Sequence, residues 1–107
     1  MAWLLLAVAI LFEVSGTLAL KASDGLSKPG WLALTAVTYV VSFILLARVL
    51  SLGMPIGVAY GIWSAIGIAL VAAMASVVFD ERVTPLMAVG IVVLMVGVVL
   101  VELGSPH

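Results

Sequence analysis

The chain has 107 residues, of which 66% are hydrophobic and 8% charged, with a formal net charge of -1 and a mean hydropathy of +1.48. A soluble domain carries about 25% charged residues, so a soluble core is excluded, and no basic field points to nucleic acid. The lack of cysteine removes disulfides, thiolate metal sites and cysteine nucleophiles.

Charges, prolines and glycines divide the sequence into four apolar blocks, at residues 2–21, 31–50, 55–79 and 85–103. At a rise of about 1.5 Å per residue, roughly 20 residues cross a hydrocarbon core of about 30 Å. The blocks show none of the apolar–polar alternation of a β-barrel strand. They predict an all-α membrane protein in which residues 1–107 form a single domain of four transmembrane helices. The first block follows no basic stretch and carries Glu13, where the apolar region of a signal peptide would be uniform, so it is read as a retained span. An even number of spans puts both termini on one side, and Lys21, Lys28 and Arg82 on the side of the first and third loops. The positive-inside rule then leans only weakly toward one orientation. A chain so weakly biased inserts either way round, or pairs with a partner of fixed orientation. His107, the last residue, is assigned no ligand or catalytic role.

In the first block, helical spacing puts Leu6, Ala9, Ile10, Glu13, Gly16, Thr17 and Leu20 on one face. A charged side chain at the bilayer centre costs about 2.5–3.5 kcal/mol on insertion scales, so Glu13 is the first candidate for function. Ala9, Gly16 and Thr17 are small and allow a helix or a ligand to approach the carboxyl. Two readings remain open from the residues alone. Glu13 is either a protonated, hydrogen-bonded group between helices, or a titrating acid that exchanges a proton for an organic cation.

The second block carries Thr35, Thr38, Tyr39, Ser42 and Phe43 in a broad stripe. Its hydroxyls read first as interhelical or back-bonding groups, and second as a ligand or water path. The third begins at Pro55, a favourable first-turn position, and sets Tyr60, Trp63, Ser64 and Gly67 on one face. Trp63 lies too deep for an interfacial belt. Beside a carboxylate, Tyr60 and Trp63 would make an aromatic box for an organic cation. In the fourth block Gly90, Leu94, Gly97 and Val98 form a smooth stripe suited to helix–helix packing. Asp80, Glu81 and Arg82 read as a solvated loop cluster. Nucleotide-binding loops, metal-ligand clusters and nucleophile–base pairs are missing from the sequence, so no cofactor, metal or enzymatic activity is expected.

Several of these residues fall in strings that together resemble the small multidrug resistance family, and within it the branch that exports quaternary ammonium compounds. The strings are Glu13-Val14 with Gly16-Thr17 and Lys21, Asp24-Gly25, Tyr39 with Ser42-Phe43, Pro55-x-Gly57-x-Ala59-Tyr60-x-Ile62-Trp63-Ser64, and Gly90 with Gly97-Val98. The resemblance implies an antiparallel, dual-topology homodimer in a prokaryotic inner membrane. That dimer would exchange protons for lipophilic cations by alternating access. Glu13 of both subunits would be the shared site for proton and cation. Leu6, Ala9, Ile10, Gly16 and Thr17, Tyr39, Ser42 and Phe43, and Tyr60, Trp63 and Ser64 would line it. Gly90, Leu94, Gly97 and Val98 would form the dimer contact. The family's helix 3 kink commonly uses a Gly-x-Gly pair; Ala65-Ile66-Gly67 stands there instead, leaving Gly61 or Gly67 as the hinge. Guanidinium exporters of the family usually carry a tryptophan where Ser15-Gly16-Thr17 lies here, which favours bulky cations over guanidinium for this chain. The alternatives are a guanidinium-type exporter, half of a heterodimer with a paralogue, and a non-transporting membrane subunit with a structural acid.

Overall fold

A computed structural model of the protein describes residues 1–105; His107 lies outside the described residues. Four helices follow one another, α1 (Ala2–Ala22), α2 (Pro29–Ser51), α3 (Ile56–Val78) and α4 (Pro85–Gly104). All four are long and apolar enough to cross a bilayer, and helices satisfy every interior backbone group within the span itself. The four-span all-α architecture expected from the sequence is therefore present.

Local chemistry sets the ends. Pro29 and Pro85 occupy the first turns of α2 and α4, where a missing N–H costs nothing. Thr84 caps α4 by accepting a hydrogen bond at Oγ1 from the Met87 N–H at 3.1 Å. Lys21 and Arg48 lie in the last turns of α1 and α2, where a cation complements the carbonyl end of the helix. Ser23 organises the first loop. Its carbonyl accepts from the N–H groups of Ser27 and Lys28, and its hydroxyl donates to the Leu20 carbonyl and accepts from the Leu26 N–H. Asp24, Gly25 and Leu26 all have positive φ, so the chain reverses in a single left-handed bend.

Packing is uneven. The α1–α2 pair is the most extensive contact, α3 lies against α1, and the α4 backbone packs against α3 alone. Leu6, Ala9, Ile10 and Val14 of α1 meet Val49 of α2 and Val58, Ile62 and Trp63 of α3 in one buried cluster. No residue of α4 is buried. Most of its apolar surface is thus left for lipid or for another helix. The protein is a slab of 45 × 34 × 18 Å, thin enough that a site between its helices opens on one flank.

Candidate functional site

Glu13 is the twelfth of the 21 residues of α1, which puts its carboxyl near the middle of the span. Thr17, one turn further on, and Trp63 of α3 are its polar neighbours. Its Oε2 atom is nevertheless buried with no hydrogen-bond partner among the described residues. A buried carboxyl oxygen of this kind is costly unless something binds it.

The carboxyl opens into a cavity of about 550 Å³. One wall is a stripe of α3 at offsets of three and four, running from Tyr60 through Trp63, Ser64, Gly67 and Val71 to Ala75; Glu13 and Thr17 form the opposite wall, and Glu81 and Met87 lie at its loop end. Gly67 makes the clearance beside the acid. A Cβ there would sit 3.9 Å from Glu13 Oε2 and 4.0 Å from Trp63 Cδ1, in ordinary contact. Trp63 is 8% exposed, and its indole is stacked on Phe43 with ring centroids 5.9 Å apart and planes at 21°. Phe43 thereby buttresses the indole from α2. Tyr60, by contrast, is 69% exposed.

Five of the sequence-predicted site residues share this cavity: Glu13, Thr17, Tyr60, Trp63 and Ser64. The others lie elsewhere. Leu6, Ala9 and Ile10 are in the buried core, one and two turns before the acid. Gly16 faces α2 so closely that a Cβ would come within 2.5 Å of Thr38 Oγ1. The missing ring at this position therefore leaves room for α2 instead of widening the cavity. Tyr39 uses that room to reach Thr17, the two hydroxyls sharing a hydrogen bond of 2.8 Å. Ser42 donates to the Tyr39 carbonyl at 2.8 Å; Thr35 donates to the Gly16 carbonyl at 3.1 Å, and Thr38 back-bonds within α2. The stripe of α2 is thus interhelical and back-bonding.

Gly61 and Gly67 both lie within an uninterrupted α3. In α4, Gly90 is exposed, Leu94 is 40% exposed, and Gly97 has open space where a Cβ would project. Val98 is half-buried, and a methyl of it approaches Gly61.

Sequence reasoning passed over Val71, Ala72, Ala75, Met87 and Glu81 as cavity residues. Continuing the stripe of Trp63 and Gly67 at helical spacing would have reached the first three. Glu81 carried no such signal, because a charge in a loop between apolar blocks reads as solvated. It forms an ion pair with Lys21, both side chains being about half exposed at 46% and 55%. Pairs of this exposure contribute no more than about 1 kcal/mol.

The site is thus an acid in mid-membrane facing an aromatic and small-residue groove. Among the described residues no group of three or more His, Cys, Asp or Glu could hold a metal ion. The family model described as Small Multidrug Resistance protein matches residues 1–96. The chain belongs to the small multidrug resistance family. A multidrug transporter of Pseudomonas aeruginosa is 42% identical over 103 residues, covering 96% of this chain and 93% of that protein. The multidrug resistance protein mmr of Mycobacterium leprae is 37% identical over the full length of both chains. The quaternary ammonium compound-resistance protein QacE of Escherichia coli is 36% identical over 103 residues, again 96% of this chain and 93% of that protein. Members of the small multidrug resistance family are transporters, and this chain is a multi-pass bacterial membrane transporter and not an enzyme.

Proposed function

We propose that this small multidrug resistance protein is a proton-coupled exporter of hydrophobic and quaternary ammonium cations, working as an antiparallel homodimer in the inner membrane. The observation that carries the reading is the unpartnered Oε2 of Glu13, buried at the side of a groove lined by an indole and a phenol. Ionised, this carboxyl attracts an organic cation while Trp63 and Tyr60 offer their π faces. Protonated, it is neutral, and the apolar walls no longer compensate a cation for lost water. One carboxyl does not hold a proton and pair with a cation together, so the two occupants exclude each other. Coupling follows where the occupied dimer turns its groove from one side of the membrane to the other, with Gly61 and Gly67 as the points at which α3 bends.

The dimer is supported by what one chain leaves bare. The groove is open on its flank, and α4 has no buried residue. A second copy in the opposite orientation would bring a second Glu13 to the groove and create the inverted symmetry common in transporters. Gly90, Leu94 and Gly97 allow close helix approach on the exposed face of α4, with Val98 at its edge. The name of the QacE relative supports the quaternary ammonium class.

The test is proton release from reconstituted protein. Adding a quaternary ammonium is expected to release protons, and guanidinium to release few or none. The reverse order would assign the guanidinium class, and no release by either would remove proton coupling. A companion measurement probes the groove. Gly67→Ala fits at ordinary contact distance and is expected to bind a quaternary ammonium as wild type does. Gly67→Leu places a branched side chain against Glu13 and Trp63, in the space a bound cation would take, and is expected to weaken equilibrium binding by roughly tenfold or more, about 1.4 kcal/mol. Equal binding by both variants would mean that the cation lies elsewhere.

A further inference from the structure

Glu81 is the second acid on the Glu13 cavity, and its position is built by the end of α3. Asp80 takes a left-handed conformation with φ of 58°. The Glu81 N–H then bonds back to the Ala75 carbonyl at 3.2 Å, which folds Glu81 over the helix end. Its carboxylate meets the Lys21 ammonium, and that ammonium also lies over the Phe79 ring, 5.6 Å from its centroid. Glu81, on the lining of the Glu13 cavity, and the Phe79 ring, which borders a neighbouring cavity with Ala22 and Val78, thus hold a cation between them at the edge of the Glu13 cavity. The cation is a side chain of α1.

We infer that Glu81 and Phe79 form an outer subsite for lipophilic organic cations, which Lys21 fills in the resting protein and an entering cation displaces. The inference rests on reading the cavity as a cation path to Glu13. A primary ammonium is strongly hydrated and gains little from a half-exposed pair, so Lys21 leaves readily. A quaternary ammonium with apolar substituents carries less water and gains more from the ring. Glu13 and Lys21 are eight residues apart on α1, about 12 Å along the helix. A cation taken up at Glu81 therefore has half the bilayer still to travel, along the Ala75, Val71 and Gly67 stripe. Lys21, returning to Glu81 behind it, restores a positive charge at the entrance. The lysine is both a placeholder and a stopper.

The test uses the full-length protein in lipid nanodiscs and benzyltriethylammonium as the probe, with binding followed by calorimetry. Glu13→Gln removes the inner carboxylate and isolates the outer subsite. In that background Lys21→Met is expected to strengthen probe binding by up to about fivefold, the affinity equivalent of releasing an exposed ion pair worth at most about 1 kcal/mol. Lys21→Arg should leave binding weak, since it keeps the internal cation. Adding Glu81→Gln or Phe79→Leu to the Lys21→Met protein should abolish the gain. A Lys21→Met protein that gains nothing, or a gain that survives Glu81→Gln, overturns the subsite. Wild-type protein that binds the probe while Lys21→Met changes nothing overturns the subsite alone. Wild-type protein that does not bind it at all overturns the Glu13 reading and the subsite together.

Discussion

Glu13→Gln is expected to abolish cation-driven proton release while leaving the helices folded. Glutamine has nearly the same shape and carries no ionisable proton, so α1 keeps its packing through Leu6, Ala9, Ile10 and Val14, all within the buried core. What disappears is the charge. Two unit charges about 4 Å apart interact by about 4 kcal/mol at an effective dielectric of 20. That is up to roughly a thousandfold in affinity before the cation's own dehydration is subtracted. Cation binding should therefore fall by orders of magnitude, and the proton count on cation addition should fall to zero. Helicity by circular dichroism and the elution volume in detergent report whether the fold and assembly survive. Proton release by the folded variant would place the titrating group elsewhere and refute the reading of Glu13. Complete unfolding would instead mark the acid as structural.

The same residue shows what a sequence can and cannot convey. The four spans were legible because loop charges and turn residues interrupt otherwise apolar blocks, and the helices follow those breaks within two residues. Pro29 starts α2 two residues earlier than the apolar block, because proline is suited to a first turn and Lys28 before it is extended. Pro55 in turn lies outside α3 as its extended N-cap. The stripe of α3 was also legible, since Tyr60, Trp63, Ser64 and Gly67 share one face at helical spacing. The face of α1 was not so simple. Periodicity groups Leu6, Ala9 and Ile10 with Glu13, but it does not say which neighbour each residue meets. The tight core with Val49, Val58 and Ile62 takes the first three, and only the acid and Thr17 reach the cavity. Tyr39 was legible as polar and close to the site, whereas its bond to Thr17 depends on how near α2 comes, which no spacing encodes. Glu81 was hidden for another reason. Its place at the cavity comes from the left-handed Asp80 and the hydrogen bond to Ala75, and an aspartate in a loop announces neither.

The close approach of α2 leads to the second large effect, at Gly16. A Cβ at this position would stand 2.5 Å from Thr38 Oγ1 and 2.6 and 2.7 Å from two Tyr39 ring carbons. Real side chains do not tolerate such distances, so Gly16→Ala must push Tyr39 away or part the α1–α2 pair. The second course would also stretch the bond from Thr35 Oγ1 to the Gly16 carbonyl. Overpacking of this kind costs about 1–3 kcal/mol. The expected result is a lowered midpoint of thermal unfolding in detergent, larger for Gly16→Val than for Gly16→Ala. Ser15→Ala is the neighbouring control. Ser15 is exposed and only back-bonds to the Leu11 carbonyl, so its loss should change little. Tyr39→Phe separates packing from hydrogen bonding, because it keeps the ring and removes only the bond to Thr17, worth about 1 kcal/mol. Tyr39→Leu in the Gly16→Ala protein should recover part of the stability. The two substitutions act on one contact, so their effects cannot add. Additive losses would show that α1 and α2 do not meet at Gly16, and an unchanged midpoint in Gly16→Ala would show the same. The consequence also reaches function: moving Tyr39 frees the Thr17 hydroxyl one turn from Glu13, so Gly16→Ala should weaken cation binding even when assayed well below its unfolding temperature.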